Sequence, residues 1–74
     1  MSKKITHYEA YVDPGNKEAL IVAYFDNNPF DFMHLPKRFQ DVEAAELEIQ
    51  GLVDRYGVPV DAEKIMQHFL QETT

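Results

Sequence analysis

The hydrophobic periodicity of this chain changes once, near residue 40. Before that point apolar residues alternate, or run together in short stretches cut by turn-forming clusters; after it they recur every three to four positions. A strand pattern and a helix pattern cannot be exchanged without carrying apolar side chains away from the core. The chain is therefore constrained to a small sheet followed by helices. With 74 residues it hides only roughly 60% of its unfolded surface on folding, which leaves room for one core. The expectation is a single small α+β domain over 1–74, a three-stranded antiparallel meander followed by two helices (β-β-β-α-α), with no deep cleft between domains.

Residues 4–13 read as the first strand, with Tyr8, Ala10 and Val12 on one face and Ile5, His7, Glu9 and Tyr11 on the other. Asp13-Pro14-Gly15-Asn16-Lys17 is the hairpin connection, in which Pro14 fixes φ and Gly15-Asn16 supply positive φ values. The second strand, about 18–26, holds the longest apolar run, the seven residues from Ala19 to Phe25. It is apolar on both faces, as a central strand reads when each side is covered. Asp26-Asn27-Asn28-Pro29 marks the next turn. A third strand over 30–35 alternates Phe30, Phe32 and His34 against Asp31, Met33 and Leu35, and Pro36 confines it to an edge.

Turns centred on Gly15-Asn16 and Asn27-Asn28 place Tyr8, Ala10, Val12, Ile21, Ala23, Phe25, Phe30, Phe32 and His34 on one sheet face. Ile5, Tyr11, Leu20, Val22, Tyr24, Met33 and Leu35 then occupy the other. A one-residue shift of the first turn exchanges the faces of the first strand.

The second half carries two helices. Over 41–56, Val42, Ala45, Ile49, Leu52, Val53 and Tyr56 fall in one arc, with Asp41 as N-cap and Gly57 as the left-handed stop. Ala44, Leu47 and Gly51 lie opposite that arc, where small residues let another helix approach; packing of the last helix into this groove is the expectation, a helix of another chain the alternative. Val58-Pro59-Val60 reads as an extended link. Asp61 caps a final helix over 61–71 with Ala62, Ile65, Met66, Phe69 and Leu70 as its apolar face. Two arrangements fit: one helix on each sheet face, or both on one face with the other left exposed.

Several chemistries lack the residues they need. There is no cysteine, hence no disulfide framework and no cysteine-based zinc site. His7, His34 and His68 come from three elements without helical ligand spacing, so no metal and no cofactor is expected. Ser2 and Thr6 are the only hydroxyl side chains of Ser or Thr before Thr73 and Thr74, which belong to a frayed tail. The three glycines are isolated and form no phosphate loop. Most carboxylates sit where the first helix is wet, without the desolvation that tunes a catalytic acid. No catalytic residues are assigned, and the chain is read as not being an enzyme.

The lysines at the start are not followed by an apolar core, and no run approaches the roughly 20 residues of a membrane span. A cytoplasmic protein without membrane association is the expectation. Seven Lys and Arg against 13 Asp and Glu give a net charge of −6, which repels nucleic acid. The favoured function is a small acidic interaction module with an accessory, regulatory or inhibitor role. Its partner is another protein or, as a homodimer, a second copy of itself. The candidate partner-binding residues are Tyr8, Phe25, Phe30 and Phe32 on the sheet and Asp41, Glu43, Glu46 and Glu48 on the first helix. The alternative is a single-stranded nucleic-acid-binding domain that stacks bases on the sheet aromatics, with Lys37 and Arg38 as its basic cluster. A small enzyme subunit ranks third.

Overall fold

Asp13 organises the first hairpin. Its carboxylate accepts hydrogen bonds from the backbone N–H of Gly15 (3.0 Å) and from Asn16 Nδ2 (3.2 Å), while its carbonyl accepts from Lys17 N (3.0 Å). These bonds close a four-residue loop between β1 (Lys4–Asp13) and β2 (Glu18–Phe25), which pair antiparallel with Tyr8 opposite Ala23, Ala10 opposite Ile21 and Val12 opposite Ala19. The register matches the sequence expectation, but the positive φ falls on Lys17 (55°), not on Gly15 or Asn16. A four-residue loop brings the chain back through its last position, whereas a two-residue turn would need the left-handed residues at its centre. This computed structural model describes residues 3–72. Met1, Ser2, Thr73 and Thr74, which include the expected frayed tail and every Ser or Thr hydroxyl except that of Thr6, lie outside the described residues.

The second turn overturns the expected third strand. Asp26 and Asn27 take φ of 51° and 58°, and Asn28 N donates to Phe25 O at 2.8 Å, so the reversal is centred one residue earlier than Asn27-Asn28. The chain then bends again: Asn28 Oδ1 accepts from Phe30 N (2.9 Å), and Asp31 N donates to Asn28 O (3.2 Å). The strand resumes only at Phe32. β3 is therefore Phe32–Phe39, not 30–35, and pairs Tyr24 with Phe32, Ala23 with Met33 and Val22 with His34. Relative to the expected register this is a slip of one, which sends Phe32 and His34 to the opposite sheet face. Pro36 does not end the strand. Edge pairing resumes at Arg38 and Phe39 after an irregularity, since on the outer strand a missing N–H costs nothing.

A second irregularity lies between Ile5 and His7 of β1. The extra residue moves Ile5 onto the face of Tyr8, where it is fully buried, instead of the face shared with Tyr11. Thr6 Oγ1, at the bulge, accepts from Asn27 N at 2.8 Å and ties β1 to the second turn.

α1 (Val42–Tyr56) has the expected bounds. Asp41 Oδ1 accepts from Ala44 N at 2.8 Å as N-cap, and Gly57 at φ 73° returns its N–H to Val53 O at 2.8 Å. Ala45 and Leu52 are buried, with Val42, Ile49, Val53 and Tyr56 packed beside them. The expected link 58–60 instead yields β4 (Val60–Asp61), a two-residue strand that pairs Val60 with Ile5 and Asp61 with Lys4 and adds a fourth strand in the order β3-β2-β1-β4. The Asp61 carboxylate meets Lys4 Nζ at 2.8 Å. α2 (Ala62–Glu72) follows, its Ala62 N bonded to Lys3 O at 3.0 Å.

Both helices cover the same sheet face. Ile5, Tyr8, Ala19, Ile21, Ala23, Phe25 and Leu35 from the sheet meet Ala45 and Leu52 of α1 and Ile65 and Phe69 of α2 in one core, with Val60 at its margin. Each fully buried isoleucine, Ile5, Ile21 and Ile65, contributes about 1.5–3 kcal/mol by burial. The expected docking of α2 into the Ala44, Leu47, Gly51 stripe does not occur: Leu47 is 74% exposed and the space beside Gly51 is open. α2 uses Ile65 and Phe69 against the sheet, a larger apolar target than the side of α1.

Candidate functional site

The uncovered sheet face is assembled by strand alternation. β1 contributes His7, Glu9, Tyr11 and Asp13, β2 contributes Leu20, Val22 and Tyr24, and β3 contributes Phe32, His34 and Arg38. At its middle Val22, between Glu9 and His34 across the strands, is only 4% exposed, whereas Tyr11 (42%) and Phe32 (50%) stand open. A ladder of rings crosses the face: His7 to Tyr24 at 5.7 Å, Tyr24 to Phe32 at 5.7 Å and Phe32 to His34 at 6.1 Å between centroids. These separations lie in the favourable range for offset and edge-to-face contact.

Glu9 is the electrostatic centre. Its carboxylate accepts hydrogen bonds from the Tyr11 hydroxyl and from the Tyr24 hydroxyl (3.1 Å), and His7 Nε2 lies 3.3 Å from its other oxygen. The two phenol oxygens are 2.8 Å apart. The Tyr11 hydrogen bond, followed by that of His7, holds Glu9 below the ordinary carboxylate range, and the same carboxylate pushes the Tyr11 phenol up. Glu9 is thus kept ionised with its acceptors occupied. That is the opposite of a poised general acid, which needs a raised pKa and a free proton. At one end of the face Arg38 Nη1 meets Asp13 at 2.7 Å and, with the Gly15 N–H, keeps Asp13 low. At the other end, His7, Glu9 and Tyr24 border a shallow cleft of about 310 Å³ closed by Asn27, Asn28 and Pro29.

The candidate residues do not converge as the sequence implied. Tyr8 and Phe25, 6% exposed each, lie in the core beneath the helices, so neither is open to a partner. Phe30 projects from the second turn at 90% exposure, and Phe32 alone of the four lies on the open face. The residues missed as candidates are Tyr11 and Tyr24, correctly placed on one shared face but on a face without Phe32, together with His7 and Glu9. The alternation of β1 carried that signal; the slipped second turn concealed it. Of the acidic set, Asp41 caps α1, Glu43 and Glu46 are exposed, and Glu48 is half-buried 3.7 Å from Lys37 Nζ.

The expected basic cluster is split as well. Lys37 turns toward Glu48 and the Phe39 ring (5.4 Å), while Arg38 is held by Asp13. His68 Nδ1 lies 2.8 Å from the Tyr56 hydroxyl, away from His7 and His34. Among the described residues, no group of three or more His, Cys, Asp or Glu side chains is placed to hold a metal, and no helix is long and apolar enough to cross a membrane. Comparison with family models, curated proteins and solved structures finds no match to this chain.

Proposed function

We propose that this chain is a small cytoplasmic protein-interaction module, accessory or regulatory and without catalysis, that docks a protein partner on its open sheet face. One observation carries the reading. Both helices lie on the same side of the sheet, so Tyr11, Tyr24 and Phe32, with Leu20 beside them, are presented to solvent on a rigid four-stranded support. Tyrosine and phenylalanine supply large contact area at small entropic cost, and the hydrogen bonds to Glu9 hold two of the rings in place before a partner arrives. On this face Asp13 is matched by Arg38, while the ionised Glu9 is hydrogen-bonded by two phenols. The same arrangement weighs against nucleic acid, since Arg38 on the open face already has a carboxylate partner. Cytoplasmic placement accords with the absence of cysteine.

The test is a capture experiment from native lysate with wild type and with Phe32→Ser, each checked by circular dichroism. Wild type is expected to retain a protein that the folded Phe32→Ser variant loses. Equal capture by both removes the open face from the reading. A wild type that associates with itself in light scattering, and a Phe32→Ser variant that does not, identifies the partner as a second copy.

A further inference from the structure

The sheet also leaves one of its edges unfinished. β4 pairs with β1 only at Lys4 and Ile5, and among the described residues no other strand lies on that side. From His7 to Val12 the outward N–H and C=O groups of β1 therefore form a bare template about 20 Å long at ~3.4 Å per residue. The opposite edge is protected. β3 carries Pro36, Lys37 and Arg38 around an irregular stretch of pairing, the usual devices against adding a strand. His7-Tyr8-Glu9-Ala10-Tyr11-Val12 is free of proline and of lysine or arginine, and its pairing with β2 is regular from His7 onward.

The bare edge is also one wall of a groove of about 650 Å³. Tyr8, Glu9, Ala10 and Tyr11 form the strand wall, and Glu46 and Ile49 of α1 form the other. Val12, 62% exposed, continues the apolar floor past Ala10. The charge beside the groove is acidic: Glu46 stands exposed on the helix wall, on a chain of net charge −6.

We infer that this groove is a strand-addition site for an extended, lysine- or arginine-bearing segment of a protein partner. The segment's backbone pairs with β1, its inward apolar side chains lie on Ile49 and Val12, and a basic side chain reaches Glu46. Charge selects this occupant over a second copy. Two β1 edges brought together would set Glu46 of one chain against Glu46 of the other, on a protein of net charge −6. The inference rests on reading the chain as a binding module, but on a surface separate from the open face.

The probe is a capped octapeptide, Thr-Val-Thr-Lys-Thr-Val-Thr-Val, whose single lysine shares the helix-facing side with its valines, titrated into the full chain while backbone amide NMR shifts are followed. Shifts confined to residues 7–12 and to the Glu46–Ile49 turn are expected, with affinity at least about fivefold weaker for Glu46→Lys and unchanged for Phe32→Ser. Methylating alternate backbone nitrogens of the peptide should abolish binding, because strand addition needs those donors. No saturable shift up to about 1 mM peptide overturns the inference, as does binding that survives methylation. Shifts on the open face lost with Phe32→Ser overturn it while leaving the proposed function standing. Shifts at residues 7–12 that grow with protein concentration alone overturn the choice of occupant, since the edge then pairs with itself.

Discussion

The two faces of the sheet are built from the same residue types and meet opposite fates. On the covered face Tyr8 and Phe25 are packed under the helices, and the Tyr8 hydroxyl is buried with no hydrogen-bond partner among the described residues. On the open face Tyr11 and Tyr24 share the Glu9 carboxylate, and the Phe32 ring lies tilted against that of Tyr24. Burial pushes the Tyr8 phenol up to about 12, whereas Tyr11 is raised by its hydrogen bond to Glu9. The covered face thus gains stability from apolar contact and tolerates one idle hydroxyl. The open face positions its rings through polar contacts that function in water, and leaves their surfaces free.

The largest effect that tests this contrast comes from truncating matched side chains. Ile21→Ala or Ile65→Ala, at fully buried positions, should cost about 2–5 kcal/mol in denaturant unfolding, while Phe32→Ser should cost less than about 1 kcal/mol. Similar losses for both would mean that the open face is part of the core and would break the comparison.

Tyr8→Phe comes next and has the opposite sign. Removing an idle buried hydroxyl should raise stability by roughly 1–2 kcal/mol. Its pH dependence sharpens the point. A phenol raised in the folded state adds stability that is fully present below its ordinary value of 10.0 and is lost as pH climbs toward 12. Tyr8→Phe should flatten the fall in melting temperature over that window, leaving the part that belongs to Tyr11. An unchanged alkaline slope would show that Tyr8 is not desolvated.

The smallest effects concern the helix that covers the closed face. Asp41→Ala should cost about 1 kcal/mol through its lost bond to Ala44 N. Glu43→Gln and Glu46→Gln should each stay within about 0.5 kcal/mol, and amide shifts of the open face should not move. A large loss at Glu43 or Glu46 would tie the acidic surface to folding and remove it from recognition.

Local chemistry made much of this legible in the residues. The α1 bounds followed from Asp41, Gly57 and the apolar arc between them, and the β1–β2 register followed from Asp13-Pro14-Gly15. The failures share a cause. The six residues between β2 and β3 contain two consecutive bends, and Asp26-Asn27-Asn28 offers positive φ at more than one place, so the position of the reversal depends on the bonds to Asp31 and Thr6. A slip of one there moved Phe32 from the company of Tyr8 to that of Tyr24 and redrew the candidate site.

By itself, then, the sequence determined the class of fold, the helix bounds, the first hairpin and the absence of cysteine chemistry, because each depends on residues close together in the chain. Only the tertiary structure decided which face of the sheet is covered, that Val60–Asp61 becomes a fourth strand, and that β1 keeps a bare edge beyond Ile5. β2 is apolar on both faces, so either face satisfies its pattern. The choice was made where Ile65 and Phe69 of α2 joined Ala45 and Leu52 of α1 on one side, since a single shared core hides more apolar surface than two half-covered faces.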